Sequence, residues 1–371
     1  MRINSLELLG FRNYENQKAE FCPGVNVITG DNAQGKTNLL EGIFYLTGGR
    51  SFRSRFDREI IGFGRDEARL IAGIESGERV QNIDITLKKG QKKQIFVNGS
   101  RIKTGSELAG RFTCVLFSPE DLYLIKEGAS VRRRLMDICI SQLRPRYAQL
   151  ITEYGKALAH KTRILKLYRE KPSLMETYDV YSQRLCQLSA LIIRYRAQFV
   201  RGLREKAEPI HREFSGGEAL DIRYKTVSTV TDPFAGPEEI YEQLWRHQMS
   251  HKRAETESGS VLTGIHKDDM EIFIDGFEAR RFASQGQCRT AALSVKLAER
   301  ELHFAAAGEY PVLLLDDVLS ELDRNRQNFI LNHIDNGQIF ITCCGDEEKM
   351  LVTGSRVITV RNGVLYRCTS I

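Results

Sequence analysis

The sequence lacks the features shared by membrane proteins and by disulfide-stabilised secreted proteins. No uncharged apolar run reaches 18 residues, so we expect no membrane span. The opening residues, MRINSLELLGFRN, contain no apolar stretch of the kind found in secretory signals. The eight cysteines form no CxxC pair, which argues against a zinc site and favours reduced thiols. Together these absences predict a cytoplasmic protein with no membrane partner.

The composition of the chain is that of a globular protein of more than one domain. Its 371 residues predict two compact units, or one large unit with an insertion. It is 42% hydrophobic and 27% charged, which excludes global disorder. The 54 lysines and arginines exceed the 48 aspartates and glutamates, which leaves a net charge of +6. This mildly basic balance is compatible with a polyanionic partner but does not identify one.

Three stretches of different pattern divide the chain. The first stretch shows short alternating strands separated by turns, and the last shows strands alternating with helices. Between them, apolar residues recur at three- and four-residue spacing in two long helices, interrupted at Lys171-Pro172-Ser173. We therefore predict an α/β domain built from residues 1–128 and 261–371, with residues 129–260 forming a mainly helical insertion.

Residues 30–37, GDNAQGKT, match the phosphate-loop pattern G-x-x-x-x-G-K-[ST] in full. They follow the apolar strand pattern VNVIT and open a helix, which is the context that this motif requires. Glycines let backbone N–H groups curl around an anion at a helix N-terminus. Lys36 is predicted to contact the β- and γ-phosphates, and Thr37 to bind magnesium. The predicted ATP-binding residues are Gly30, Asp31, Asn32, Ala33, Gln34, Gly35, Lys36 and Thr37.

A second acidic motif follows the apolar run PVLLL, where the sequence reads Asp316-Asp317. A carboxylate at the C-terminal end of a buried strand is the usual second magnesium-orienting group of a P-loop ATPase. We predict that Asp316 holds the water shell of the metal and that Asp317 orients or deprotonates the attacking water. The alternative is that both aspartates only cap a nearby helix.

A short polar turn, Ser284-Gln285-Gly286-Gln287, leads into an amphipathic helix pattern. A helix start of this kind can bind a second phosphate face. Taken alone, the turn is better explained as an ordinary helix start with Ser284 as its N-cap.

Basic residues cluster between positions 131 and 171, where eleven lysines and arginines face three acids. Such clustering on helices is typical of contact with a nucleic-acid backbone, without base reading. Arg132, Arg133 and Arg134 are the candidate DNA-binding residues in this stretch. The alternatives are a solvated helix face, or pairing of these arginines with acids of a neighbouring lobe.

The order of these motifs resembles the ATP-binding-cassette head, and the long gap before Ser284 resembles heads of the SMC type. The match is closest to the bacterial RecF family. The segments that carry it are FRNY at 11–14, GDNAQGKTNLLEGIFYLTGGRSFR at 30–53, FSPEDLYLIKEGASVRRRLMD at 117–137, GIHKDDMEIFIDG and FASQGQCRTAALSVKLAE within 264–299, and LLLDDVLSELD at 313–323. This resemblance implies an ABC-type ATPase head with a mixed sheet, an antiparallel β subdomain and a helical lobe.

The resemblance also implies how the site is used. Ser284, Gly286 and Gln287 would contact ATP held by a second copy of the chain, in a head-to-tail dimer. Asp323 would lie in the loop that crosses this interface, and Arg53 would lie near DNA or the opposite phosphate. One departure is the sequence Thr342-Cys343-Cys344, which stands where cassette ATPases often place a γ-phosphate-sensing histidine.

The function implied by the family is an ATP-dependent DNA-binding protein of replication and recombinational repair. Its catalytic candidates are Lys36, Asp317 and Gln287, and its cofactors would be ATP and Mg²⁺. Weak, DNA-stimulated hydrolysis would act as a switch at single-strand gaps and gap junctions. The expected partners are DNA, a second copy and the RecO and RecR proteins, with a role in the SOS response. A transporter ATPase subunit and a small-molecule kinase are the competing classes.

Overall fold

Residues from both ends of the chain form one structural unit, and residues from its middle form a second. The computed structural model describes residues 1–227, 229–334, 336–344 and 355–367. The first unit comprises Met1–Tyr123 with Ala292–Ile371, and the second comprises Leu124–Ala291.

Secondary-structure elements are numbered in chain order. The strands are β1 (Arg2–Phe11), β2 (Tyr14–Glu20), β3 (Val25–Thr29), β4 (Glu67–Ser76), β5 (Arg79–Lys88), β6 (Gln94–Val97), β7 (Ser100–Ile102), β8 (Cys114–Phe117), β9 (Leu220–Lys225), β10 (Asp269–Ile274), β11 (Phe277–Glu278), β12 (Val312–Leu315), β13 (Ile339–Cys343), β14 (Arg356–Arg361) and β15 (Val364–Arg367). The helices are α1 (Lys36–Tyr45), α2 (Ala129–Leu143), α3 (Pro145–Leu167), α4 (Tyr178–Ser215), α5 (Pro237–Ser258), α6 (Ala279–Phe282), α7 (Gln285–Ala307) and α8 (Arg324–His333).

A mixed sheet of order β15-β14-β3-β13-β12-β8 forms the centre of the first unit. The strands from β14 to β8 in this order are parallel, and β15 is antiparallel to β14. All four residues of β12 are buried, as expected for a parallel strand that is covered on both faces. A second, antiparallel sheet of order β2-β1-β4-β5-β6-β7 completes the unit. The predicted mixed sheet and antiparallel subdomain are both confirmed.

The second unit combines long helices with a small antiparallel sheet of order β11-β10-β9. The predicted pair of long helices is confirmed: α3 ends at Leu167, and α4 begins at Tyr178 after the Pro172–Thr177 turn. Helix α4 runs for 38 residues and ends at Ser215, and the next residue, Gly216, caps it with a φ of 78°, in the left-handed region that favours glycine.

The boundaries of the units differ from those predicted from sequence. We predicted divisions at 128/129 and 260/261, whereas the units divide at 123/124 and 291/292. Residues 261–291 belong to the second unit because β10 pairs with β9 along its whole length, from Asp269 opposite Lys225 to Ile274 opposite Leu220. An alternating strand pattern cannot reveal which sheet the strand joins. Helix α7 begins in the second unit and ends in the first.

No helix among the described residues combines the length and apolarity needed to cross a bilayer.

Candidate ATP-binding site

The phosphate loop connects β3 to α1 and adopts a conformation that requires its glycines. Gly30 has a φ of 148° and Gly35 a φ of 122°, both in the region that favours glycine. A Cβ at Gly30 would lie 2.4 Å from the backbone oxygen of Val360, and one at Gly35 would lie 2.7 Å from Nδ2 of Asn13. Both glycines of the motif are therefore required by backbone shape and by space.

The side chains of Asn13, in the turn between β1 and β2, and of Tyr14, the first residue of β2, hold this loop. Asn13 donates from Nδ2 to the backbone oxygen of Gln34 at 2.8 Å, and Tyr14 donates from its hydroxyl to the oxygen of Gly35 at 2.8 Å. Asn38 donates from Nδ2 to Oδ1 of Asn13, also at 2.8 Å. The FRNY segment, which sequence reasoning used only for the family resemblance, therefore supports the loop. Asparagine is common in turns of any kind, so the sequence offers no separate signal for this contact.

The Lys36 ammonium lies within the loop and is held by neutral acceptors. Its Nζ donates to the backbone oxygens of Gly30 at 2.7 Å and Asp31 at 3.3 Å, and to Sγ of Cys344 at 2.8 Å. Only 4% of Lys36 is exposed, and no carboxylate among the described residues pairs with it. A buried cation without an anionic partner is costly, which favours the binding of a phosphate beside it.

Thr37 and Asp316 meet at the end of the sheet. Thr37 follows the loop, Asp316 follows β12, and the Thr37 hydroxyl donates to Oδ1 of Asp316 at 2.9 Å. Burial raises the pKa of Asp316, and hydrogen bonds from Thr37 and Thr342 offset only part of that rise. A hydroxyl and a carboxylate are the hard oxygen ligands that Mg²⁺ prefers, so this pair fits the ion.

Thr342 connects the two aspartates because β13 lies between β3 and β12. Its Oγ1 lies 3.1 Å from Oδ1 of Asp316 and 3.1 Å from Oδ1 of Asp317, and it accepts from the Asp317 backbone N–H at 2.7 Å. Asp317 has a φ of 50°, an uncommon conformation for a residue other than glycine. The Thr342 hydroxyl is thus committed to the carboxylates. The alternative that neither aspartate does more than cap a helix does not account for these contacts.

Cys344 is the residue of the Thr342-Cys343-Cys344 segment that reaches the phosphate loop. Its thiol contacts Lys36 and donates to Oδ1 of Asn32 at 3.0 Å. The sequence did not indicate which residue of this segment takes the place of a phosphate-sensing histidine, and the structure brings Cys344 to the loop. Cys344 directly follows β13, which ends at Cys343.

Arg53 and Asp323 are also in the first unit. Arg53 is exposed and donates from Nη1 to Oδ1 of Asn38 at 3.1 Å, and its charge lowers the pKa of Asp316 against the larger effect of burial. Asp323 is the N-cap of α8, where its side chain accepts from the backbone N–H of Arg326 at 3.0 Å. That hydrogen bond lowers the pKa of Asp323.

The predicted Ser284 motif lies in the second unit and opens α7 with a capping box. Ser284 accepts at Oγ from the backbone N–H of Gln287 at 3.2 Å, and Gln287 accepts at Oε1 from the backbone N–H of Ser284 at 2.9 Å. Ser284 is exposed, and Gly286 is partly exposed. The helix start is therefore an ordinary cap that also presents a hydroxyl and a positive dipole end to solvent.

Two residues that the sequence analysis missed support this helix start. Lys126 donates from Nζ to the backbone oxygens of Ala283 at 2.7 Å and Arg280 at 3.3 Å. Glu218 accepts at Oε1 from Nε2 of Gln287 at 2.8 Å. Both are distant from Ser284 in the chain, so no local pattern links them to it.

The predicted DNA-binding role of Arg132 is corrected by its surroundings. Arg132 is 3% exposed and donates from Nε and Nη2 to the two carboxylate oxygens of Asp269, each at 2.8 Å. Arg133 donates to the backbone oxygen of Asp268 at 2.7 Å. Arg134 is exposed. The alternative of pairing with a nearby acid thus applies to Arg132, because a charge count does not reveal burial.

A second residue of the basic cluster at 131–171 is also buried and paired with an acid, so it is not available to bind DNA. Lys161 is fully buried and pairs with Glu255 at 2.7 Å. Eight of the eleven basic residues are exposed, and they are Arg134, Arg144, Arg146, Lys156, Arg163, Lys166, Arg169 and Lys171. The surface therefore retains most of the predicted positive charge.

Comparison with known proteins identifies the family. The family model described as the RecF/RecN/SMC N terminal domain matches residues 2–364. The DNA replication and repair protein RecF of Clostridium perfringens is 37% identical over 365 residues, which cover 98% of this chain and 99% of that protein. The protein of the same name from Lachnospira eligens is 42% identical over 351 residues, 94% of each chain. The chain belongs to the RecF family.

Solved structures of RecF proteins share its fold. The recombination mediator protein RecF with ATP has a TM-score of 0.91 and 35% identity, covering 99% of this chain and 97% of that one. The RecF–ATPrS structure has a TM-score of 0.92 at 35% identity. An SMC head bound to the C-winged helix domain of ScpA has a TM-score of 0.57 at 17% identity, which is a likeness of fold alone. The RecF-family chain therefore has the ABC-type ATPase head that its motifs predicted.

Proposed function

We propose that this protein is an ATP-dependent DNA-binding protein of DNA replication and recombinational gap repair. The observation that carries the proposal is the contact between Thr37 and Asp316, which brings together two motifs 279 positions apart beside the buried Lys36. Relatives at 37% and 42% identity are DNA replication and repair proteins, and a solved relative contains ATP. This combination favours an ATP switch in DNA repair.

The first part of the proposal concerns MgATP. The loop from Gly30 to Thr37 binds the phosphates, with Lys36 at the β- and γ-phosphates. Thr37 and Asp316 hold Mg²⁺, which neutralises charge on the phosphates when bound. Asp317 orients the attacking water, and the Thr342 hydroxyl fixes the position of its carboxylate. Hydrolysis is slow and serves to end the bound state.

The second part concerns a dimer. Ser284, Gly286 and Gln287 contact the ATP held by a second copy, so that two nucleotides lie at a head-to-tail interface. Asp323, at the start of α8, belongs to the segment that crosses this interface. The exposed position of Ser284 at the N-terminus of the 23-residue helix α7 supports this role.

The third part concerns DNA. The eight exposed basic residues between positions 131 and 171 bind the phosphate backbone without reading bases, and Arg53 adds a contact from the first unit. Pooling the basic surfaces of two copies strengthens this binding when ATP closes the dimer. We place the protein at single-strand gaps and gap junctions, in the cytoplasm, where it supports recombinase loading with RecO and RecR and contributes to the SOS response. A solved relative is described as a recombination mediator in the RecFOR pathway, which supports these partners.

The dimer is tested with Ser284→Arg, which places bulk and charge at the proposed interface. We expect this variant to bind MgATP as a monomer and to remain monomeric by light scattering at saturating ATP. Ser250→Arg, at an exposed serine of α5 in the same unit, is the matched control and should dimerise normally. A normal ATP-dependent dimer of Ser284→Arg would refute the composite site.

DNA binding with and without ATP separates this function from the competing classes. We expect weak binding without ATP, tighter binding with it, and hydrolysis that DNA stimulates. A transporter subunit or a small-molecule kinase would show neither ATP-dependent DNA affinity nor stimulation by DNA.

A further inference from the structure

The side chain of Gln287 uses both ends of its amide. Its Oε1 accepts from the backbone N–H of Ser284 at 2.9 Å, and its Nε2 donates to Oε1 of Glu218 at 2.8 Å. The same residue therefore completes the cap of α7 and contacts a segment that precedes it by 69 positions. A capping box needs only the first of these contacts.

The contact with Glu218 determines which way the amide points. A carboxylate accepts but does not donate, so it selects the NH₂ end of Gln287 and directs the oxygen toward Ser284. In the opposite orientation the amide NH₂ would meet the Ser284 N–H, and two donors would face each other. Glu218 thus favours the one orientation in which the helix start is capped.

Glu218 is itself held in place after α4. Its backbone N–H donates to Oγ of Ser215 at 3.0 Å, and its Oε2 lies 3.4 Å from Nε2 of His211. His211 is fully buried, whereas 27% of the Glu218 side chain is exposed. The backbone N–H of Ala219 donates to Oδ1 of Asp275 at 2.9 Å, which fixes the residue that follows. The carboxylate that orients Gln287 therefore belongs to an anchored segment.

We propose that Glu218 is a positioning residue of the composite ATP site, acting through Gln287 on the geometry of Ser284. This inference rests on the proposed head-to-tail dimer. Glu218 does not touch nucleotide: it holds the Gln287 amide, the amide holds the Ser284 backbone, and the Ser284 hydroxyl meets the phosphates of the second copy. Because the start of α7 is already held in one conformation, it loses less conformational entropy when the dimer forms.

The test compares ATP-dependent dimerisation of Glu218→Ala, Glu218→Gln and the wild type by sedimentation at saturating MgATP. Loss of one hydrogen bond to a charged acceptor should cost about tenfold at each site. A head-to-tail dimer contains two such sites, so Glu218→Ala should raise the dimer dissociation constant about 100-fold. Glu218→Gln retains an acceptor oxygen and should recover to within about threefold of wild type.

Two further measurements distinguish positioning from a general structural effect. MgATP affinity of the monomer should be unchanged in both Glu218 variants, because the phosphate loop is in the other unit. In a Gln287→Ala background, Glu218→Ala should add less than about a twofold effect, since the contact it removes is already lost. Glu239→Ala is the matched control: Glu239 also accepts from a glutamine amide, that of Gln243 at 3.3 Å, and it should dimerise as wild type.

The outcomes separate failure of this inference from failure of the proposed function. If Ser284→Arg is monomeric but Glu218→Ala dimerises like the wild type, Glu218 has no positioning role and the dimer model stands. The inference is also overturned if Glu218→Ala raises the dimer dissociation constant as much in the Gln287→Ala background as it does in the wild type. If Ser284→Arg dimerises normally, the composite site itself is refuted. Should Glu218→Ala unfold, Glu218→Leu takes its place, because leucine fills similar space but accepts no hydrogen bond: a wild-type dimer of Glu218→Leu would overturn the inference.

Discussion

Arg132 offers the sharpest test of the distinction between a structural and a DNA-binding arginine. Its guanidinium makes two hydrogen bonds of 2.8 Å to Asp269, and Nη1 lies within 3.5 Å of three backbone oxygens, those of Leu124, Ile125 and Glu127. The Arg132→Ala substitution removes all of these donors and leaves a carboxylate that is 18% exposed without its charged partner. We therefore expect loss of stability, with little change in DNA affinity.

The size of the stability loss in Arg132→Ala follows from the burial of the ion pair with Asp269. Breaking a buried ion pair from one side costs about 3–5 kcal/mol because the remaining charge is uncompensated. The lower end applies here, since Asp269 is partly exposed and keeps a 2.7 Å hydrogen bond from the Met270 backbone N–H. We expect the free energy of unfolding of the second unit to fall by about 3 kcal/mol.

The single tryptophan, Trp245, makes this measurable, because it lies on α5 in the same unit as Arg132. Urea unfolding followed by Trp245 fluorescence gives the midpoint and slope for that unit. Arg134→Ala, at an exposed position of the same helix, is the control and should change stability by less than about 1 kcal/mol. An unchanged urea midpoint together with weakened DNA binding for Arg132→Ala would refute the structural assignment.

The difference in unfolding free energy between the wild type and Arg132→Ala should depend on pH. Burial alone would raise the pKa of Asp269, but the hydrogen bond and charge of Arg132 outweigh it and lower the pKa below its usual value. The ion pair therefore contributes stability above the unfolded-state pKa of about 4, and this contribution is lost as pH falls through the lower folded-state pKa. The difference between wild type and Arg132→Ala should shrink below about pH 4.

Three further substitutions test the nucleotide site. Lys36→Ala should weaken MgATP binding by at least about 100-fold without unfolding the protein, and unchanged affinity by calorimetry would contradict the phosphate-loop assignment. Asp317→Asn should keep MgATP bound through Asp316 while slowing hydrolysis by about 100-fold, so its DNA complexes should outlast those of the wild type under ATP. Equal lifetimes of the two DNA complexes would mean that hydrolysis is not the release step. Lys126→Met keeps the apolar part of the side chain but removes the ammonium that donates to the backbone oxygens before Ser284. The dimer dissociation constant should rise about fivefold by sedimentation, with the monomer affinity for ATP unchanged. A dimer as stable as that of the wild type would exclude a supporting role for Lys126.

The sequence predicted correctly those structural elements whose conformation is set by residues close together in the chain. The phosphate loop, the strand that precedes Asp316 and the long helices α3 and α4 each have a short-range signature, in glycine spacing or apolar period. The roles assigned to Lys36 and Asp317 stay predictions, since geometry alone does not measure catalysis.

The supporting contacts could not be predicted because each joins segments distant in the chain. Asn13 contacts the phosphate loop from 21 positions away, and Cys344 contacts Lys36 from 308 positions away. Glu218 is 69 positions from the amide that it orients. Arg132 was a candidate DNA-binding residue because a run of basic residues does not show which member is buried. Sequence patterns of this kind report local structure, and these contacts are set by topology.

The strand order of the mixed sheet has a consequence for the order in which the protein can fold during synthesis. Strand β3, which leads into the phosphate loop, has β13 and β14 as its neighbours, and both are made more than 300 residues later. The ribosome therefore releases this apolar strand long before its partners exist, whereas the second unit is one continuous stretch of chain that can fold as it emerges. A nascent chain halted before β13 should hold a folded middle but no nucleotide site, so truncated products of interrupted translation would bind no ATP.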